Sequence, residues 1–349
     1  MKTNYLLLAL LLLLSSFLFG CTPKEEKLQE KTENGSATVE KLKVYTTIFP
    51  LEDFTKKIGG EHVEVISVYP PGVDAHTFEP TAKTMVDISE SDAFIYSGAG
   101  LEGFVDAAIE VLQKEDIMIV KAADGIEFAE VDHAGEDEHE GETEAEHAEH
   151  AGEDEHEGET EAEHAEHAGE DEHNDGDHDP HVWLDPILAT QLAENILHTL
   201  EKLKPEAKEE FEKNFNELKL ELEKLDGEFK QVIDQASNKE ILVSHAAYGY
   251  WESRYGIKQI SVSGLSPTNE PSQQELTKII ETAKEHNIQY VIFEQNVSTK
   301  IAEIVKNEIK AEALTLHNLE ALTEEDSKKN EDYFSIMRRN LETLKTALN

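Results

Sequence analysis

The chain has 349 residues, 38% of them hydrophobic, and carries a formal net charge of −44 at pH 7. This length allows two ordinary domains with their own hydrophobic cores. The acidic balance argues against nucleic acid as a partner, because binding a phosphate backbone requires a positively charged surface.

Residues 1–20 have the features of an export signal, with Lys2 followed by an apolar run over residues 6–14. The run is short for a membrane span of about 20 apolar residues, and it leads to a cysteine instead of a basic flank. Residues 18–21, Leu-Phe-Gly-Cys, resemble the lipobox of bacterial lipoproteins, which implies a lipidated Cys21 and a membrane anchor on the extracytoplasmic face. The alternative is a plain secreted protein that is cut elsewhere. Residues 21–40 are polar and aperiodic, which predicts a flexible tether.

From residue 41 onward, short apolar runs alternate with segments of helical periodicity, which predicts β/α units around parallel sheets. We divide the chain into an N-terminal α/β lobe (41–186), a helical region (187–236) and a C-terminal α/β lobe (237–349). The predicted strands are 42–49, 62–69, 93–97, 117–120, 240–243, 258–262, 290–293 and 313–316. The predicted helices are 51–58, 81–89, 104–113, 187–203, 206–236, 248–255, 272–286, 299–309 and one starting at residue 333.

Three details refine these helices. Pro205 can open the long helix at its first turn. That helix would span more than about 40 Å at about 1.5 Å per residue, which is enough to connect the two lobes. Ser272 and Glu275 have the spacing of a capping box at the start of their helix.

Residues 132–179 form a low-complexity tract with a repeat period of 17 residues. The tract accounts for more than half of the net charge and holds nine of the sixteen histidines. Such a composition cannot bury enough apolar surface to offset the entropy of ordering, so we expect disorder. Mixed histidines and carboxylates predict weak secondary metal sites, although a solvated acidic spacer remains the alternative. The histidines are His133, His139, His147, His150, His156, His164, His167, His173 and His178.

His181 lies between Pro180 and Pro186 in the octet Asp-Pro-His-Val-Trp-Leu-Asp-Pro. Because proline fixes its own φ and discourages helix in the residue before it, we expect a stiff, extended segment that presents the imidazole. Such a segment suits a metal ligand. The alternative is that residues 182–184 are a buried strand end with His181 at its polar edge.

Further candidate side chains follow predicted strands, where open α/β sheets place their ligand crevice. His76 lies in the loop after the second strand, and His245 follows the strand at 240–243. His317 and Glu320 follow the last strand. Taken singly, such a residue is more often ordinary loop chemistry than a ligand.

Five segments together resemble the metal-binding receptors of bacterial ABC importers, and specifically their zinc branch (ZnuA/AdcA type). They are Pro70–Pro80, Asp179–Pro186, Ser244–Trp251, Phe293–Lys300 and Leu316–Thr323, and they run in the family's order. The resemblance implies two α/β lobes joined by one long rigid helix, with the metal in the cleft between them. It also implies a monomer that gives its ion to an ABC transporter permease.

The same resemblance implies the ligands. His76, His181 and His245 match the three histidines of the family. The fourth ligand in these proteins is a carboxylate or water; we choose Glu320, with His317 as the alternative. A carboxylate is typical at the position of His245 in the manganese branch, so the resemblance implies Zn²⁺, and the same receptor role for manganese is the alternative. The His-rich insertion before His181 also resembles the zinc branch.

Two other functions stay open at this point. A secreted zinc hydrolase would need an open coordination position and a general base, and we do not predict an enzyme. A surface metal buffer would bind zinc through the repeats alone. Removing residues 132–179 separates the second possibility from a receptor, because a receptor would keep one tightly bound ion.

Overall fold

The computed structural model describes residues 40–98, 100–129, 178–296 and 300–349. Residues Glu40–Asn349 form one unit. Its strands are β1 (Leu42–Thr46), β2 (Val63–Ser67), β3 (Ala93–Tyr96), β4 (Met118–Lys121), β5 (Glu240–Val243), β6 (Lys258–Ser261), β7 (Tyr290–Glu294) and β8 (Glu312–Leu316). Its helices are α1 (Phe49–Gly59), α2 (Ala82–Ser89), α3 (Val105–Leu112), α4 (Pro186–Leu203), α5 (Lys208–Asp234), α6 (Gly249–Tyr255), α7 (Gln273–Glu285), α8 (Lys300–Ile309), α9 (Glu324–Lys329) and α10 (Tyr333–Ala347).

The strands form two four-stranded sheets, ordered β2-β1-β3-β4 and β6-β5-β7-β8. Every pairing in both sheets is parallel. Helices connect successive strands, as parallel pairing requires. This arrangement confirms the predicted fold of two parallel-sheet α/β lobes.

Helix α5 has 27 residues and buries one stripe, formed by Phe211, Phe215, Leu218, Leu222, Leu225, Phe229 and Ile233. The stripe has the three- and four-residue spacing that places side chains on one face of a helix. The helix packs against α1 and α4, which precede it in the chain, and against α6 and α10, which follow it. Its rigidity as a connection between the lobes remains a prediction.

Most predicted elements are present, and the differences lie at their ends. Strand β1 stops at Thr46 instead of residue 49, because α1 begins at Phe49 with Pro50 in its first turn. Residues Pro205–Ala207 form a 3-10 turn before α5 begins. The short helix α9 was not predicted; it begins after Thr323, whose side chain accepts a hydrogen bond from the Asp326 N–H. The predicted capping box of Ser272 and Glu275 is confirmed.

The extended segment predicted around His181 is wrong. Val182–Leu184 is a 3-10 turn, and His181 has φ −82° and ψ 37°. The reason is that a proline restricts the residue before it. Pro186 therefore keeps Asp185 extended, at ψ 114°, while His181 follows Pro180 and is free of that restriction. The alternative of a strand end at residues 182–184 is also wrong, because these residues form the 3-10 turn.

Several predicted features lie outside the described residues. These are Cys21, the tether and the tract histidines from His133 to His173. His178 and Asp179, which we assigned to the disordered tract, belong to the described part. Asp179 is buried, and its N–H donates to the carbonyl of Ala129, 3.1 Å away. Among the described helices, none combines the length and apolar character needed to cross a membrane.

Candidate metal centre

Four side chains predicted to be ligands lie together: His76, His181, His245 and Glu320. Each offers one ligand atom, and these atoms all lie within 4.8 Å of one another. His181, His245 and Glu320 are buried, and 9% of the His76 side chain is exposed. The group lies beyond the carboxyl ends of strands, as expected for a ligand crevice in α/β sheets.

Three distances within this group match the edges of a tetrahedral ion site. Glu320 Oε1 lies 3.3 Å from His76 Nε2 and 3.4 Å from His181 Nε2. The Nε2 atoms of His181 and His245 are also 3.4 Å apart. A regular tetrahedron of ligands with bonds of about 2.0–2.1 Å, the length of a zinc–nitrogen bond, has edges of about 3.3–3.4 Å. Three of the six separations therefore have the length expected around a zinc-sized ion, and all four atoms lie within 4.8 Å of one another.

Two of these atoms lack other partners. His76 Nε2 and Glu320 Oε1 are buried without a hydrogen bond that meets the usual geometry. Buried polar atoms are normally satisfied, because leaving one unpaired costs about 1–3 kcal/mol. An ion bound between them would satisfy both atoms.

His76 is positioned by a turn in the loop that follows β2. The side chain of Asp74 accepts a hydrogen bond from the His76 N–H at 2.9 Å, which is an Asx turn. The hydroxyl of Tyr69 donates to the carbonyl of Ala75 at 3.4 Å. Both bonds hold the peptide group between Ala75 and His76, directly before the imidazole.

Asp179 orients His181. Its Oδ1 accepts hydrogen bonds from the His181 N–H at 3.0 Å and from Nδ1 at 2.8 Å. A carboxylate on Nδ1 fixes the tautomer that leaves Nε2 free for a metal. The hydroxyl of Tyr250 donates to the Asp179 carbonyl at 2.7 Å. A Cβ on Gly249 would lie 2.5 Å from Asp179 Oδ2, so only glycine fits beside this carboxylate.

His245 follows β5 and is fully buried. Glu294, at the end of the neighbouring strand β7, places Oε1 2.7 Å from His245 Nδ1. The oxygen lies away from the direction of the N–H bond, so this is a charge contact and not an aligned hydrogen bond. Like Asp179, Glu294 favours the tautomer that leaves Nε2 free.

Glu320 lies in a loop whose backbone is held at several points. Leu319 has φ +63°, in the left-handed region that costs a residue with a Cβ about 1–2 kcal/mol. Its N–H donates to His317 Nδ1 at 2.9 Å, and the Glu320 N–H donates to Asn318 Oδ1 at 3.2 Å. The Glu320 carbonyl accepts the N–H of Phe49 at the start of α1. The ligand loop of the second sheet is therefore fixed against the first helix.

The charges of His181 and Glu320 depend on each other. Burial alone lowers the pKa of His181, but the hydrogen bonds and charges of Asp179 and Glu320 outweigh it and raise that pKa. Burial alone raises the pKa of Glu320, but the close contacts and charges of His181 and His76 hold it well below its usual range. Without an ion, the group therefore carries a proton on imidazole beside an ionised carboxylate.

Comparison with known proteins identifies the family. Residues 44–347 match the model of ZnuA, described as zinc-uptake complex component A, periplasmic. The chain belongs to the ZnuA family. The resemblance inferred from the five segments is thereby confirmed, and the family consists of solute-binding receptors.

Two curated ZnuA-family proteins show the extent of the similarity. The zinc-binding lipoprotein AdcA of Streptococcus pneumoniae is 34% identical over 345 residues, which cover 99% of this chain and 61% of AdcA. The chain thus spans about three fifths of that relative. The high-affinity zinc uptake system protein ZnuA of Bacillus subtilis is 36% identical over 309 residues, covering 88% of each protein.

A solved structure gives the same result for the fold. The Zn(II)-bound ZnuA-like domain of Streptococcus pneumoniae AdcA is 31% identical and superposes with a TM-score of 0.67. The match covers 88% of this chain and 99% of that domain. The two-lobed architecture is therefore that of the ZnuA family.

The structure places His317 apart from the four-atom group. Its Nδ1 accepts the Leu319 N–H, and its Nε2 lies 3.4 Å from Asp326 Oδ2. Nδ1 thus has a hydrogen-bond partner, and Nε2 lies beside Asp326 without a hydrogen bond of the usual geometry. His317 supports the loop of Glu320, a role that we did not predict for it.

Sequence reasoning also missed Asp179 and Glu294. Each lies within a segment that carries the family resemblance, yet neither received a role. A signal existed for both: Asp179 is two residues before His181, and Glu294 ends the strand that pairs with β5. Carboxylates near metal-binding histidines commonly contact the second ring nitrogen.

Proposed function

We propose that this protein is an extracytoplasmic receptor that binds one Zn²⁺ through His76, His181, His245 and Glu320 and delivers it to an ABC transporter permease. One observation carries the proposal: four buried or nearly buried ligand atoms lie within 4.8 Å of one another, and three of their separations, 3.3–3.4 Å, equal the edge of a zinc-centred tetrahedron. Membership of the ZnuA family and the names of its relatives support the choice of zinc.

Zinc is preferred to manganese on the chemistry of the donors. Three imidazole nitrogens and one carboxylate oxygen suit Zn²⁺, which favours compact tetrahedral sites. Manganese favours oxygen donors and a larger coordination number. Asp179 and Glu294 lie beside the Nδ1 atoms of His181 and His245. Each carboxylate favours the tautomer that leaves Nε2 free to bind the ion.

The same geometry supports a binding role without catalysis. A catalytic zinc site keeps one position for water or substrate, whereas Glu320 takes the fourth position in this proposal. A hydrolase also requires a general base within reach of that water. The carboxylates next to the group, Asp179 and Glu294, are already in contact with histidine.

We further propose that a lipid on Cys21 holds the receptor at the membrane and that it acts as a monomer. The family resemblance and the lipoprotein name of AdcA support the anchor. The tract histidines serve in this proposal as weak accessory sites that collect zinc for the receptor. A surface buffer differs, because its repeats would be the principal sites.

Zinc uptake by cells separates the receptor from the buffer. The cells lack their own copy of the gene and receive either the chain without residues 132–177 or the full chain with His76→Ala. Because Ala129 and Asp179 are hydrogen-bonded, a short linker closes this deletion without moving His181. A receptor restores uptake of radioactive zinc in the deletion and fails in His76→Ala. The reverse pattern would establish the buffer and refute the receptor.

Zinc binding should release about one proton near pH 7. The pKa of His181 is raised in the metal-free protein, so its proton is present below that pKa and must leave before Nε2 can bind zinc. The apparent affinity should therefore rise by about tenfold per pH unit from pH 6.5 to 8. Calorimetry in two buffers of different ionisation enthalpy measures the protons released. Binding heats that are independent of the buffer would contradict the prediction.

A further inference from the structure

Glu294 divides its two carboxylate oxygens between two ligand segments. Its Oε1 contacts His245 Nδ1 and accepts a hydrogen bond from the Ser244 hydroxyl at 3.4 Å. Its Oε2 accepts a hydrogen bond from Asn318 Nδ2 at 3.0 Å. Only 1% of the Glu294 side chain is exposed, so these contacts replace water around a buried charge.

Asn318 continues the connection to two more ligand segments. Its Oδ1 accepts the N–H of Glu320, the proposed fourth ligand. Its carbonyl accepts a hydrogen bond from Trp183 Nε1 at 2.7 Å, and Trp183 is two residues after His181. Both ends of the Asn318 amide are therefore used, and the residue is buried.

We propose that Glu294 and Asn318 act as a positioning pair that sets the relative placement of His245 and Glu320 and thereby the metal preference of the site. This inference rests on the proposed zinc function. The pair favours one tautomer of His245 from one side and holds the backbone of Glu320 from the other. A fixed separation keeps the four ligand atoms within 4.8 Å of one another.

Loosening the pair should affect the choice of metal more than the fold. If the Glu320 loop moves, its carboxylate can offer a second oxygen and water can enter the site. Higher coordination and oxygen donors favour Mn²⁺ over Zn²⁺. The pair is thus a specificity determinant that does not itself touch the ion.

The chemistry of the pair offers a reciprocal exchange as a test. Asn318→Asp puts a carboxylate oxygen where Nδ2 now faces Glu294, which creates repulsion between two buried charges. Glu294→Gln removes the charge beside His245. When the new amide oxygen faces His245 Nδ1, the new amide nitrogen faces Asn318 Nδ2, and the two hydrogen-bond donors lack an acceptor. In the double variant, the amide oxygen of the introduced glutamine can face His245 Nδ1 while its nitrogen donates to the new carboxylate. The number of charges in the pair then equals that of the wild type.

The experiment measures Zn²⁺ and Mn²⁺ affinities by competition with a chromophoric chelator, in protein that lacks residues 132–177. Thermal unfolding of the metal-free variants verifies folding. The control is Glu240→Gln, which breaks a carboxylate–histidine contact with His286 (2.8 Å) at the opposite end of β5. If Asn318→Asp does not fold, Asn318→Ala takes its place.

We expect each single variant to narrow the zinc-to-manganese affinity ratio by at least about tenfold, the lower range for partners of metal ligands. The double variant should return within about threefold of the wild type, as coupled residues do in a double-mutant cycle. The control should match the wild type. An unchanged zinc-to-manganese affinity ratio in both single variants would refute the proposed role of the pair. Additive losses in the double variant would refute it as well. Absence of tight zinc from the wild type would instead overturn the proposed function and, with it, this inference.

Discussion

His245→Ala should lower the zinc affinity by more than about 100-fold in the chain without residues 132–177. The substitution removes one of four ligand atoms, and losing a ligand costs more than the 10–100-fold typical of its outer partner. It also leaves Glu294 buried without the histidine that it contacts at 2.7 Å. Competition titration with a chromophoric chelator gives the affinity, and deleting the tract prevents weak sites from masking the loss.

The matched control for this substitution is His286→Ala. His286 also contacts a carboxylate, Glu240, but it is 40% exposed and lies outside the four-atom group. Its loss should leave the zinc affinity unchanged. In addition, His245→Glu should narrow the preference for zinc over manganese, because it replaces nitrogen by a hard oxygen donor. Unchanged zinc affinity in His245→Ala would remove His245 from the site.

Trp183→Ala should destabilise the metal-free protein by about 3–5 kcal/mol, the range for truncating a large buried aromatic side chain. Trp183 is fully buried, and its Nε1 donates to the Asn318 carbonyl in the loop of Glu320. The Trp183 carbonyl accepts the hydroxyl of Tyr333 at 2.6 Å, so the residue connects the His181 turn to α10. The substitution leaves a cavity beside two ligand segments, and we expect weaker zinc binding as well.

Urea unfolding of the metal-free protein measures this loss of stability. Leu220→Ala provides the comparison, because Leu220 lies on α5 with 65% of its surface exposed. Exposed substitutions of this kind usually change the free energy of unfolding by less than about 0.5 kcal/mol. A Trp183→Ala protein as stable as Leu220→Ala would show that the turn after His181 does not depend on this packing.

The helices and sheets were predictable because their signals are local or periodic. The stripe of α5 repeats every three or four residues, and the strands of both sheets are short apolar runs between turns. The rule that ligands gather beyond strand ends placed His76, His245 and Glu320 in one crevice. The family resemblance was nevertheless needed to select them from other loop residues.

The supporting contacts were less predictable, because they depend on tertiary structure. The role of His317 follows from the left-handed conformation of Leu319, which turns that N–H toward Nδ1. Nothing in a leucine predicts positive φ. The 3-10 turn after His181 also depends on tertiary contacts. Trp183 Nε1 donates to the Asn318 carbonyl, and the Trp183 carbonyl accepts the Tyr333 hydroxyl, so the turn is bonded to two distant segments.

The number of tightly bound zinc ions in the chain without residues 132–177 tests the central claim most directly. The protein is stripped with a chelator, reloaded with excess zinc, passed over a desalting column and analysed for metal and protein content. We predict one zinc per chain, since the described residues include a single group of four suitable ligands. A protein that retains no zinc after this treatment would contradict the receptor site.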